Sequence, residues 1–205
     1  MNGGLAMHCN QETIHALDDH RREHNTIERL AQLGKKYNIH EVIPLKTSDI
    51  CVAQWVRLKC KYGCQKYGTS WCCPPETPDS DKTRALLNEY EKALLVCGST
   101  TNGHFHRDNQ KKRLVQMNGW KGALTLERQL FLEGYYKAFA LVPERCPLCK
   151  VCTYPDSCKF PMERRPSVES CSIDVFQTLR TIGKNFRIEK DVNAKYNYYS
   201  IILME

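Results

Sequence analysis

The sequence predicts an α/β protein, a small layered sheet flanked by helices, with two cysteine-rich loops at the strand ends. Three observations predict it. Segments of helical and strand character alternate roughly singly, most of the twelve cysteines gather in two short stretches, and those stretches are rich in proline and glycine. With 205 residues and 41% hydrophobic content, one domain over residues 1–205 is the simplest organisation. Residues 1–38 are its N-terminal helical segment, polar and partly mobile in the first half. No repeat, low-complexity tract or linker interrupts the chain.

In order along the chain, residues 11–36 read as a helix, with Ile27, Leu30 and Ala31 as its apolar stripe and Gly34, Lys35 and Lys36 as its stop. Residues 40–45 read as a short strand. Residues 49–58, with Ile50, Val52, Trp55, Val56 and Leu58, read as a second strand delivering Cys60. Asp79 or Ser80 is the N-cap of a helix that buries Leu86, Leu87 and Tyr90. The run Ala93 to Cys97, closed by Gly98, suits a buried strand. Residues 101–110 are turn-like. Residues 124–138 form a helix with Leu126, Leu130, Phe131 and Gly134 at helical spacing, and residues 139–142 a strand that feeds the second cysteine loop. A helix over residues 172–181, closed by Gly183, and a C-terminal strand over residues 196–204 complete the reading.

The second loop, CPLCKVCTYPDSCKFP (146–161), carries Cys146, Cys149 and Cys152 at three-residue spacing and Cys158 after five intervening residues. Pro147, Pro155 and Pro161 forbid a regular helix or central strand, so the chain must wrap around something. A Cys-x2-Cys-x2-Cys run ahead of a fourth cysteine is how bacterial-type ferredoxins grip a [4Fe-4S] cluster. There the last spacing is three residues and a proline follows directly, so the fourth ligand here stays open. In ferredoxins that fourth cysteine serves the other cluster of a pair, which directs attention to a second site. The first loop, KCKYGCQKYGTSWCCPP (59–75), supplies it: Cys60 and Cys64, then Cys72 and Cys73 ahead of a rigid Pro-Pro, with Gly63 and Gly68 as turning points. Of the adjacent pair Cys73 is the better ligand, because it stands in the Cys-Pro step.

The N-terminus MNGGLAMHCNQETIHALDDH lacks the basic start and apolar middle of an export signal, and no apolar run approaches the roughly 20 residues of a membrane span. A cytoplasmic chain with no membrane partner is therefore expected. Cytosolic thiols are kept reduced, so twelve cysteines point to metal or catalysis rather than disulfides. The formal charge of +7 falls to about +3 if two clusters of about −2 each are bound. With basic residues spread along the chain and no nucleic-acid motif, no nucleic-acid partner is expected.

VRLKCKYGCQKYGTSWCCPP and CPLCKVCTYPDSCKFPMERRPSVESCSIDV, joined by LERQLFLEGYYKAFAL, resemble a family of predicted metal-binding proteins of anaerobic bacteria and archaea, known as a domain of unknown function. The resemblance covers roughly residues 40–205. It implies a metal or iron-sulfur protein of anaerobic metabolism, with Cys60, Cys64, Cys73, Cys146, Cys149, Cys152 and Cys158 at the family's cysteine positions. Arg165, Pro166, Ser167 and Glu169 match its RPS-x-E segment. Cys72 stands where the family seldom has cysteine and is read as a bystander.

Structural zinc is the alternative to iron-sulfur, but zinc closes with four ligands commonly given as two separated pairs, whereas three or four thiols crowd each loop here. Seven thiols for two cubanes leave one short. Cys9, Cys51, Cys97 or Cys171 supplies the eighth, or one iron stays open to a substrate as a Lewis acid. Lys59, Lys61 and Lys66 around the first loop, and Arg145, Lys150 and Lys159 around the second, would stabilise thiolates; individually they also read as solvated surface. Arg165 and Ser167 are candidate ligand-binding residues, able to hold an anion at the start of the helix capped by Ser170 or Ser172. The alternative is a salt bridge from Arg165 to Glu169 bracing the loop. His20 with His24, and His104 with His106, are placed to share a metal or move a proton, though both pairs also read as surface histidines. Hydrolase, P-loop and dinucleotide fingerprints are absent. The expectation is a [4Fe-4S] redox protein serving a redox partner protein or a small-molecule substrate, with a zinc-stapled interaction module as the alternative.

Overall fold

A computed structural model describes residues 11–101, 110–185 and 194–205. Along them run α1 (Gln11–Gly34), β1 (Ile39–Lys46), α2 (Gln54–Gly63), α3 (Ser80–Leu87), β2 (Lys92–Thr101), α4 (Gln110–Leu132), β3 (Phe139–Leu141), α5 (Val175–Thr181) and β4 (Lys195–Leu203). The strands form one sheet in the order β1-β2-β4-β3, antiparallel throughout.

The two central strands dictate the layering. β2 sends Leu94 and Val96 to one face and Ala93, Leu95 and Cys97 to the other, and β4 divides Ile202 from Ile201 and Leu203 in the same way. Strands that are apolar on both faces need cover on both. On one face α1 and α4 supply it, with Leu30, Trp120, Ala123, Leu126 and Leu130 fully buried. On the other, α3, α5 and residues 168–173 do so through Leu87, Val168, Ile173 and Leu179. Each such side chain contributes about 1.5–3 kcal/mol on burial. The mixed α/β class and the flanking helices are as the sequence predicts. No helix among the described residues is long and apolar enough to cross a membrane.

Several elements differ from expectation. Residues 54–63 form a helix, not a strand: α2 turns Val56 inward, and Trp55, Leu58 and Tyr62 share its exposed side. The apolar count over residues 49–58 is high, but its spacing from Trp55 onward is helical. α4 begins 14 residues earlier than expected, at Gln110. Gly119 and Gly122 lower the helical signal there; Tyr198 packs against the first, and Tyr37 and Ile39 against the second. Gly134, at φ +101, lies beyond its end as a stop rather than within it. β2 runs on through Gly98, where a Cβ would run into the Tyr198 ring. The cap of α5 is Asp174, whose carboxylate accepts the Gln177 amide at 2.9 Å, rather than Ser170 or Ser172. Asp79 caps α3 as read, accepting from the Lys82 amide.

Candidate metal centre

The first cysteine loop grows out of α2. Cys60 lies in its last turn, one turn on from the buried Val56, and Cys64 is its C-cap. A helix C-terminus is the negative end of the dipole and resists thiolates, so Lys61 in the last turn is a compensating charge. From there the loop braces itself. Gly68, at φ +67, bonds through its amide to the Pro74 carbonyl at 2.8 Å, and the Cys73 amide reaches the Ser70 carbonyl at 3.2 Å. Arg57 reaches across from α2 to the Pro78 carbonyl at 3.0 Å. Cys72 and Cys73 end up buried, at 4% and 8% exposure.

The second loop leaves the sheet at β3 and returns beside it. Val142 exchanges hydrogen bonds with Pro166 and Val168, at 3.0 and 3.1 Å, which closes the neck. Between residues 146 and 158 the described chain forms no backbone–backbone hydrogen bond. Its amides turn toward sulfur instead: Leu148 N–H meets the Cys146 thiol, and Phe160 N–H donates to Cys158 Sγ at 3.4 Å. Other elements hold the loop from outside. Arg113 of α4 donates to the Pro147 and Leu148 carbonyls at 3.0 and 3.1 Å, and the buried Trp120 indole donates to the Glu163 carbonyl at 2.9 Å.

The loops are also tied to each other. Trp71 donates its indole N–H to the Asp156 carbonyl at 2.8 Å and stacks edge-on against Tyr154, while the Tyr154 hydroxyl donates to Glu76 at 3.0 Å. The Arg164 guanidinium covers the other contact surface of Trp71, 5.3 Å from the ring centre.

Between them lies a cavity of about 790 Å³. Cys72, Cys73, Cys146, Cys149, Cys152 and Cys158 line it, together with Lys66, Arg113, Lys121, Arg145 and Lys150, and among the described residues no carboxylate does. Cys60 and Cys64 adjoin Cys73 closely enough for their charges to bear on it. Among the described residues, no three His, Cys, Asp or Glu side chains close on one point able to hold a single metal ion. Burial pushes the Cys73 thiol up to about 11 and raises Cys60, in each case reinforced by neighbouring thiols; burial and the same crowding raise Cys149. The hydrogen bond between Cys72 and Cys146 pulls Cys146 down and pushes Cys72 up. The donor set, soft thiols ringed by cations, fits an anionic, thiolate-bound metal group, and the spread of the thiols fits one larger than a single ion.

The remaining sequence candidates stand elsewhere. Arg165 forms a partly buried, two-pronged ion pair with Glu127 of α4, with Nε 2.9 Å from Oε2, and its third nitrogen donates to the Met162 and Arg164 carbonyls. Its partner is Glu127, not Glu169, so it clamps the neck of the loop. The Ser167 hydroxyl accepts the Ser170 amide at 3.1 Å inside a local turn. Of the eighth-ligand candidates, Cys97 and Cys171 lie in the apolar cluster on the opposite face of the sheet, where burial pushes each thiol up to about 12. Cys51 sits 3.4 Å from the Thr181 hydroxyl. Cys9, His104 and His106 lie outside the described residues, as does the side chain of His20; His24 meets the Glu28 carboxylate at 3.3 Å on the surface. Cys72, read as a bystander, faces Cys146. Sequence reasoning missed Arg113, Trp71 and Trp120 as loop anchors; only the position of Trp71 beside the Cys-Cys pair signals one of them.

Fold and chamber together define a cysteine-rich metal-binding domain of mixed α/β class. Residues 43–204 match the family of predicted metal-binding proteins designated DUF2284, and the chain belongs to it. No curated protein and no solved structure matches the chain.

Proposed function

We propose that the protein is an iron-sulfur redox protein. It holds one or two [4Fe-4S] clusters through Cys60, Cys64, Cys73 and Cys146, Cys149, Cys152, Cys158, and passes single electrons to a partner protein or acts on a small substrate beside a cluster. The observation that carries this reading is the chamber: six thiols spread around about 790 Å³ and ringed by cations, with no lining carboxylate among the described residues. When bound, such a group supplies one-electron transfer. The chain's own part is to exclude water with Trp71 and Pro147, to offset anionic charge with Lys66, Arg113 and Lys150, and to aim amides at sulfur.

The outer side of α2 offers a docking surface for a redox partner. Trp55, Leu58 and Tyr62 are exposed there on the helix that carries Cys60, with Lys59 over the Trp55 ring and Lys61 over Tyr62. Apolar anchors interleaved with lysines suit a partner with an acidic surface. The zinc-stapled interaction module draws its support from the Trp71–Tyr154 tie between the loops.

The test is an anaerobic redox titration followed by electron paramagnetic resonance. The proposal expects a signal that appears on reduction and disappears on reoxidation without loss of iron. A colourless, zinc-containing protein with no reducible signal would replace it with the interaction module.

A further inference from the structure

We propose that Cys72 is a metal-ligating thiol, the eighth of the site, rather than a bystander. The inference rests on the iron-sulfur reading and deepens it. Cys72 is 4% exposed, yet it lines the chamber together with Cys146, which packs against the same cluster. Neighbouring side chains point in different directions. Here Cys73 has Cys60, Cys64 and Cys146 as neighbours, while Cys72 lies beside Cys146 in the chamber wall with Cys158 close by. The adjacent pair thus delivers one thiol to each cysteine group.

The backbone that aims the pair is built for it. Ser70 holds both residues, its hydroxyl accepting the Cys72 amide at 3.3 Å and its carbonyl the Cys73 amide at 3.2 Å. A buried free cysteine is usually a small apolar filler. Cys97 and Cys171 show that pattern, packed in the apolar cluster across the sheet, and Cys51 faces a threonine; Cys72 also borders an apolar cluster, but of the four only it lines the chamber. With Cys72 the site offers eight thiols, three in the first group and five in the second, so two cubanes close at four each when one thiol of the second loop serves the first group, as the fourth cysteine does in two-cluster ferredoxins, whereas seven leave one iron without a protein thiolate.

The test compares anaerobically purified wild type with Cys72→Val, which keeps the side-chain volume, with Cys72→Ala, and with Cys51→Ala as a control. The readouts are iron, acid-labile sulfide, the resonance spectrum of the reduced protein, and far-UV circular dichroism for the fold. The inference expects both Cys72 variants, folded, to lose about half of the iron and sulfide or to keep them with an altered spectrum, while Cys51→Ala matches wild type. Folded Cys72 variants with wild-type iron, sulfide and spectrum would overturn it and leave the iron-sulfur reading standing. Wild type without sulfide would overturn the reading itself and the inference with it.

Discussion

The two cysteine loops are built by opposite means. Residues 64–79 hold their own shape: amides meet carbonyls within the loop, Gly68 turns it, and Arg57 ties its end back to α2. Residues 146–158 form no backbone–backbone hydrogen bond among the described residues and depend on Arg113, Trp71 and the closed neck at Val142. A loop without internal backbone–backbone bonds relies on other partners: the Thr153 hydroxyl donates to the Ser157 carbonyl within it, and the Phe160 amide just beyond it points at the Cys158 sulfur. The first loop is therefore a scaffold that positions thiols. The second is a wrapping held in place by the elements around it.

The largest effect expected from this contrast is on metal content. Cys149→Ala, in the wrapping loop, is predicted to remove about half or more of the bound iron, measured per chain after anaerobic purification. Cys97→Ala and Cys171→Ala are predicted to leave the iron unchanged and cost about 1–2 kcal/mol of stability, because those thiols only fill the apolar core. Equal iron loss from both kinds of variant would erase the distinction.

Next comes the clamp at the neck. Glu127 also accepts the Ala140 amide at 2.7 Å, so Glu127→Ala strands both a partly buried guanidinium and a strand-end amide. A loss of about 3 kcal/mol in chemical denaturation is expected, with reduced metal retention. Arg165→Lys keeps the charge but loses the two-pronged geometry and should fall between wild type and Glu127→Ala.

Metal removal sharpens the comparison directly. Chelation is predicted to raise amide exchange across residues 146–158 by about tenfold or more, with a smaller rise across residues 64–79. Equal deprotection of both loops would show that the first is no scaffold.

The smallest effect lies outside both loops, where Glu133 receives hydrogen bonds from Arg29, Thr26 and Gln129, which hold its carboxyl down to about 2. A depressed carboxyl stabilises the fold above its unfolded pKa of about 4.5, and that stability is lost as pH falls toward about 2. Arg29 is half exposed, so the contribution is about 1–2 kcal/mol. Glu133→Gln is predicted to flatten the pH dependence of the denaturation midpoint in that window without changing metal content.

Much of this was legible in the sequence. The sheet core is written in the continuous apolar runs Ala93 to Cys97 and Ile201 to Leu203, and the loops in cysteine spacing and proline density. α2 was not, because Trp55, Leu58 and Tyr62 are apolar yet exposed, so an apolar count mistakes a surface for a core strand. The meeting of the two loops was not legible either. It depends on Trp71, Tyr154 and Arg164, pairs about 85 residues apart whose contact no local pattern encodes. The role of Arg165 likewise hinges on Glu127, 38 residues upstream on another element.

The most direct test of the account is iron, acid-labile sulfide and zinc per chain on anaerobically purified protein. About eight iron and eight sulfide are predicted, or about four of each if the two loops share one cluster. Zinc with no sulfide would contradict the account.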